Sequence, residues 1–398
     1  MTLYRLIMAL LTPLLLLRAL WRGESRADLA ERLGRGARPV DLWLHGASLG
    51  ELTSARWLIA ALQAARPGLT LLVTANTVTG RKLVRDWQMP GVAARLAPLD
   101  LPWAVRRFLQ AARPKALISV EAEYWPLRFA ACADRNIGVL LLGARMSARS
   151  FGRWQRRPAL AATMLAAVRL ASAQDAASRD HLQRLGLPCA VLLPDLDLKA
   201  QAMAHLPAPA TPPRAARETW LLAASTHPGE DALILDAFAR QSRFTHLILA
   251  PRHPARGPEI TALLADKDFA QRSRGAEPGS AAIYLADTLG EMDRWYALCG
   301  AVVIGGSFVP RGGHTPWEPA RFGTAILHGP DTRNFAGPYA ALDRAQAALA
   351  VTADGLAEAL AQLDGPRQDR MATAAKAVLQ ADGDIAALVE RILVISGC

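Results

Sequence analysis

DLWLHGASLGE, residues 41–51, passes from an apolar run through a glycine turn into a stretch with helical spacing that continues to about Ala65. Asp41–His45 predicts a buried strand, Gly46 and Gly50 a close turn, and Glu51–Ala65 a helix. The same alternation continues outward from this point. Leu69–Thr74 predicts the next strand and a helix follows from near Thr79, while Ala116–Val120 and Gly138–Leu142 predict further short buried strands. Strands alternating with helices predict a parallel α/β sheet with right-handed crossovers. Residues 203–218, MAHLPAPATPPRAARE, interrupt the pattern with Pro207, Pro209, Pro212 and Pro213. That proline density predicts a semi-rigid linker. The pattern then restarts at Trp220–Ala224, Thr245–Ala250, Ile283–Leu285 and Ala301–Ile304. Two α/β domains are expected, with function carried by loops beyond the carboxyl ends of the strands.

Composition agrees. A chain of 398 residues exceeds one ordinary domain, and 52 % apolar with 20 % charged residues excludes a disordered chain. Cys132, Cys189, Cys299 and Cys398 are far apart and form no CxxC pair. This excludes a disulfide scaffold or zinc ribbon and suits a reducing cytoplasm. The formal charge of +11 is unevenly distributed: residues 1–200 hold 28 Lys/Arg against 14 Asp/Glu, and the remainder 18 against 21. The first half therefore concentrates an anionic partner, which by charge alone is a nucleic acid, a membrane surface or a charged substrate.

The N-terminus bears on that choice. Leu6–Leu17, LIMALLTPLLLL, carries no charge, with Arg5 before it and Arg18, Arg22 and Arg26 after it. About twenty apolar residues span a bilayer, so this run spans only if all of residues 1–20 take part. No small-residue cleavage site follows, since Arg18 and Trp21 stand there. Residues 1–22 are read as an uncleaved anchor or interfacial helix, with the flanking arginines keeping the body cytoplasmic; an ordinary buried helix is the alternative.

Several loops could carry chemistry. In His45–Glu51, Glu51 at the helix start is either half of a Ser48-x-x-Glu51 capping box or a general base. In VEAEYWP (120–126), Glu121 and Glu123 are expected on an extended segment, pointing the same way, so that like charge raises one pKa; alternatively one of them caps the helix after Pro126. In the second half, STHPGE (225–230), PRHP (251–254), DTLGE (287–291) and GGS (305–307) continuing to RGGHTPWEP (311–319) all follow strands. Glycine turns into helix starts predict backbone N–H groups turned toward phosphate, and four such segments predict one nucleotide site. Glu318 before Pro319 is a cap or a ribose ligand. There is no GxxxxGK[ST] loop, no GxGxxG after the first strand, no HExxH and no DxD-type pair. No metal ligand is assigned.

These segments together resemble the bacterial Kdo (3-deoxy-D-manno-octulosonic acid) transferases of lipopolysaccharide synthesis. The carriers are LHGASLGE (44–51), APLDLP (97–102), VEAEYWP (120–126), ARMSARS (144–150), SAQD (172–175), ASTHPGE (224–230), PRHP (251–254), YLADTLGEM (284–292) and GGSFVPRGGHTPWEP (305–319). The resemblance runs from the apolar N-terminus to about residue 336. It implies a GT-B fold, two Rossmann-like domains facing across a cleft, with a membrane-associated N-terminal helix. The expected division is an anchor at 1–22, an acceptor-binding domain at 23–202, a linker at 203–218 and a nucleotide-sugar domain at 219–398. The implied reaction is inverting, metal-independent transfer of Kdo from CMP-Kdo to an anionic lipid A precursor at the cytoplasmic face of the inner membrane, with no cofactor. Carried over residue by residue, Glu51 matches the catalytic base and Glu123 a second glutamate near the reacting centre. Lys199 matches the lysine of a G-N-L-K segment. Pro251, Arg252, Leu289, Gly290, Glu291, Thr315, Pro316, Trp317 and Glu318 match segments that hold CMP.

The chain departs from that pattern in places. Gly-Asn is absent before Lys199, Thr315 replaces an Asn, Trp317 replaces a Leu, and TANTVTG (74–80) replaces T-x-T-x-T-G. These mark a divergent member. The alternatives carried forward are a GT-B transferase using another nucleotide sugar or acceptor, and a non-catalytic membrane-bound glycolipid-binding protein. Nucleic acid is not an expected partner, because the arginines are dispersed and no recognition module is present.

Overall fold

The computed structural model describes residues 2–380 and 385–398. They divide into two compact units, the first containing residues 2–202 and the C-terminal segment, the second residues from 203 to 380.

The first unit is built on six parallel strands: β1 (Leu42–Gly46), β2 (Leu71–Ala75), β3 (Val92–Leu96), β4 (Ala116–Val120), β5 (Gly138–Ala144) and β6 (Val168–Ala173). Their order is β3-β2-β1-β4-β5-β6. β1, β2 and β4 are buried along their whole length, as parallel strands covered on both faces must be. Alternate residues feed two cores. Leu44, Val73 and Ile118 meet Leu52 and Leu58 of helix Leu49–Ala65 on one face, and Trp43 and Leu117 meet Phe108 and Phe129 on the other. Strand order reverses between β1 and β4, so the loops leaving their carboxyl ends part there. That point lies between HGASLGE and EAEYW, the two segments carrying Glu51 and Glu123.

Helix Thr2–Trp21 is long and apolar enough to cross a membrane by length and composition. One stripe, including Tyr4, Met8, Leu15 and Ala19, is buried or half-buried, and Leu3, Leu6, Leu10, Leu14 and Leu17 are exposed. Near its start the Tyr4 hydroxyl donates to Asp100 at 2.9 Å.

The second unit holds seven parallel strands: β7 (Trp220–Thr226), β8 (His246–Pro251), β9 (Phe269–Gln271), β10 (Ile283–Leu285), β11 (Ala301–Ile304), β12 (Ala325–His328) and β13 (Ala348–Ala350), ordered β13-β12-β11-β7-β8-β10-β9. Its core joins Leu221, Leu249, Val303 and Leu327. Strand order again reverses beside the first strand, between β7 and β11.

Two expected boundaries are corrected. Helix Ile385–Ser396 belongs to the first unit, not to a domain running to 398: its stripe of Leu388, Val389 and Ile392 completes the core beside Leu52, Leu58 and Leu140. The second unit starts at 203 rather than 219. Arg214–Arg217 within the proline-rich segment is a helical turn, and Arg217 donates to the carbonyls of Tyr296, Cys299 and Phe322 while Arg214 donates to those of Gly300 and Gly323. These arginines lock the end of that segment into the second unit.

Candidate functional site

Helix Leu49–Ala65 starts where β1 ends, and Ser48 caps it by accepting the Glu51 N–H at 3.3 Å. The Glu51 carboxylate does not complete a capping box on Ser48. It turns back to accept the Ala47 N–H at 2.6 Å, which keeps it at the carboxyl end of β1. Burial pushes its pKa up to about 7, opposed by the Ala47 N–H and reinforced by the negative charges of Glu121 and Glu123.

Glu121 and Glu123 do not share a direction. Glu121 has a left-handed backbone, φ 53°, and this turn separates them. Glu121 pairs with the Lys199 ammonium at 3.3 Å, and Glu123 turns toward β1. Neither caps helix Pro126–Ala133; Asp100 does, accepting the N–H groups of Leu127 at 3.1 Å and Arg128 at 2.8 Å. Lys199 lies in the first turn of helix Leu198–Ala204, where Asp197 accepts its backbone N–H.

One oxygen of Glu123 faces three donors: His45 Nε2 at 3.0 Å, Asn76 Nδ2 at 3.0 Å and Trp125 Nε1 at 2.8 Å. The His45 tautomer follows from donor arithmetic. An ionised Glu123 oxygen can only accept, so His45 Nε2 at 3.0 Å must donate to it; Nδ1 of the neutral ring then accepts the Thr74 hydroxyl proton at 2.9 Å, and that hydroxyl accepts the Trp43 Nε1–H at 2.8 Å. Nε2 therefore carries the ring proton and donates it to Glu123. Burial, with the nearby Arg128 charge, pushes the His45 pKa down to about 4 and keeps the ring neutral. Burial opposes the charge on Glu123 as well, but the His45 and Trp125 donors and the Arg128 charge outweigh it and hold its pKa below the usual carboxylate range. The like-charge expectation is thus corrected. Glu51 is raised, and Glu123 is a fixed anion beside it.

The second unit presents a separate centre at the ends of β7, β8 and β11. His227 and His314 stack with ring centroids 5.2 Å apart and Nε2 atoms 3.0 Å apart, and the His253 ring stands edge-on at 6.3 Å from His227. Arg252, just beyond Pro251 at the end of β8, and Arg311 face this group and have no carboxylate partner among the described residues. Burial, then His227, Arg252 and His253, push the His314 pKa down to about 4. Arg252 lies within electrostatic range of Glu318 but closes no ion pair with it, and the two guanidiniums leave positive charge that an anion would relieve.

The glycine loops do not present the expected free amides. The buried Glu230 carboxylate accepts the N–H groups of His227 at 2.9 Å, Gly306 at 2.7 Å and Phe308 at 3.0 Å. A protein carboxylate already fills the anion-binding role of that turn, which leaves Arg252, Arg311 and the histidines to meet a phosphate. Glu318 shares the Arg252 neighbourhood; burial and the Asp293 charge raise its pKa, and Tyr296 hydrogen-bonds it. Thr315 accepts the Trp317 N–H at 3.4 Å, and Pro316 and Trp317 are buried beneath that loop. Leu289 and Gly290 form an exposed turn, and Glu291 is held by Thr288 and by Arg272 at 2.8 Å, so its carboxylate belongs to an ion-pair network. Sequence reasoning missed Asn76, Arg128, Arg311 and the roles of Trp43 and Thr74. All but Arg128 lie in quoted segments, and nothing in the spacing tied Asn76 to Glu123.

Comparison with known proteins gives the family. Residues 27–201 match the family model described as 3-deoxy-D-manno-octulosonic-acid transferase (Kdotransferase). The 3-deoxy-D-manno-octulosonic acid transferase of Haemophilus influenzae is 33 % identical over 364 residues, covering 87 % of this chain and 85 % of that protein. The chain belongs to the Kdo transferase family. It is a glycosyltransferase. A UDP-GlcNAc 2-epimerase from Neisseria meningitidis superposes with a TM-score of 0.62 at 12 % identity, over 89 % of this chain and all of that one. A glycosyltransferase from Rickettsia africae gives 0.58 at 12 % identity, over 91 % and 98 %. Both show the fold of this Kdo transferase, GT-B.

Proposed function

We propose that this Kdo transferase moves Kdo from CMP-Kdo to an anionic lipid A precursor, with inversion and without a metal, at the cytoplasmic face of the inner membrane. The observation that carries the reading is Glu51: a carboxylate at a topological switch point, positioned by the Ala47 N–H, with a pKa raised to about 7 beside the fixed anion Glu123. A base with a pKa near the working pH is suited to taking a proton from a hydroxyl. The acceptor O–H proton passes to Glu51, the oxygen bonds to the anomeric carbon, and the bond to the CMP phosphate breaks with its electron pair leaving on phosphate. Displacement from the opposite face inverts that carbon. Arg252 and Arg311 supply the positive charge that stabilises the leaving phosphate. The exposed apolar helix and the arginines around it support a membrane-bound acceptor. Purified protein incubated separately with CMP-Kdo and with UDP-sugars, each with a tetraacyl lipid A precursor, tests the donor. Turnover with a UDP-sugar and none with CMP-Kdo would overturn the proposal.

A further inference from the structure

Within the first unit a cavity of about 470 Å³ lies between helix Thr2–Trp21 and the residues following β3. That volume is in the range of sites for small ligands, about 300–1,000 Å³. Met8, Leu11, Leu15 and Ala19 form the wall on the helix side, with Leu99 and Trp125 opposite.

Two observations say what the cavity accepts. The first is its charge. Arg128 lines it while only 1 % exposed; Nη2 donates to the Pro98 carbonyl at 3.1 Å, but Nε and Nη1 have no hydrogen-bond partner. The guanidinium is held between the Trp43 and Trp125 rings, 5.3 Å and 5.1 Å from their centroids. Buried polar groups are normally matched, so two unmatched donors on a cation point to an anionic ligand. Arg32 and Glu24 on the same wall pair with each other and Asp100 is held by Tyr4 and two backbone N–H groups, whereas Arg18 and Arg22, also lining the cavity, have no ion-pair partner among the described residues and leave the lining net positive. The second observation is its position. Asn76 and Trp125 line the cavity and also hold Glu123, so an occupant lies against the wall of the candidate catalytic centre. The outer face of the same helix exposes Leu6, Leu10, Leu14 and Leu17.

We infer that this cavity receives one acyl chain of the anionic glycolipid acceptor, which enters along the apolar helix and carries its charged end toward Arg18, Arg22 and Arg128. This rests on the proposed acceptor class. It adds that the acyl chain is recognised by the protein rather than left in the bilayer.

The test fills the cavity. Ala19→Phe, with Leu11→Phe as an independent second variant, is assayed in the full-length protein with the acylated acceptor and with its fully deacylated form. The ratio of kcat/KM for the acylated to the chain-free acceptor should fall at least about tenfold, as expected when several methylenes lose their burial. An unchanged ratio in both folded variants overturns the inference. A second readout needs no turnover: acceptor brominated on an acyl chain should quench tryptophan fluorescence in the wild type and less in the Phe variants. Equal quenching by brominated phosphatidylglycerol vesicles lacking acceptor would assign the cavity to bulk lipid and overturn the inference. If the wild type transfers no sugar but the brominated acceptor still quenches selectively, the proposed reaction fails and the cavity assignment stands.

Discussion

Glu51 makes the sharpest prediction, because its environment fixes a pH profile. Burial pushes its pKa up to about 7, and as the proposed base only its ionised form would accept the acceptor proton. About one-tenth of it is ionised at pH 6 and about nine-tenths at pH 8, so kcat/KM for the acceptor should rise about tenfold between those values. The direction is fixed by the group: a base loses activity as pH falls through its pKa. Replacing Glu123 with Gln removes one of the negative charges that raise the Glu51 pKa, so the acid limb should shift to lower pH. Gln keeps the shape and can still present an oxygen to His45, Asn76 and Trp125. The assay is initial rate against pH from 5 to 9 at constant ionic strength with saturating donor. A flat profile between pH 6 and 8, or an acid limb that stays in place in Glu123→Gln, would refute the electrostatic argument.

Other consequences follow from the same structure. Arg252→Ala removes an unpaired guanidinium from the second unit and should raise the donor KM about ten- to a hundredfold, the equivalent of one or two charge-assisted hydrogen bonds, as read by steady-state kinetics. Glu230→Ala leaves the N–H groups of Gly306 and Phe308 buried without an acceptor and should cost about 2–4 kcal/mol, measured by urea unfolding of the second unit. Deleting the chain after residue 384 strips Leu388, Val389 and Ile392 from the first core at about 1.5–3 kcal/mol each. Hydrogen exchange should accelerate in β5 and in helix Leu49–Ala65 and stay unchanged in β7 and β8.

The sheets were largely legible because parallel strands are uniformly apolar. Ala116–Val120, Ile283–Leu285 and Ala301–Ile304 occur where the apolar runs place them. Val92–Leu96, Val168–Ala173, Phe269–Gln271, Ala325–His328 and Ala348–Ala350 were not predicted; the first reads VAARL and is mostly half-buried at a sheet edge, and Phe269–Gln271 and Ala348–Ala350 are only three residues long. The path of the last helix was not legible: its apolar stripe fits either core, and no local signal tells a chain to return across 180 residues of another unit. At the site, the sequence placed Glu51 and Glu123 on loops at strand ends but misjudged how Glu121 and Glu123 relate, because a non-glycine left-handed residue at Glu121 carries no sequence signal. The expectation of free glycine amides failed for a related reason. Glu230 lies 76 residues before Gly306, and only the fold brings that carboxylate to the turn.

The proposed transfer depends most directly on the proton that Glu51 would accept. The decisive measurement is product mass by mass spectrometry from wild type and Glu51→Gln, each given CMP-Kdo and a tetraacyl lipid A precursor, with donor binding measured in parallel. Wild type should add Kdo to the lipid, and Glu51→Gln should slow that transfer by about 10²–10⁴-fold with donor affinity unchanged. Equal product from both proteins would contradict the assignment of Glu51 as the base.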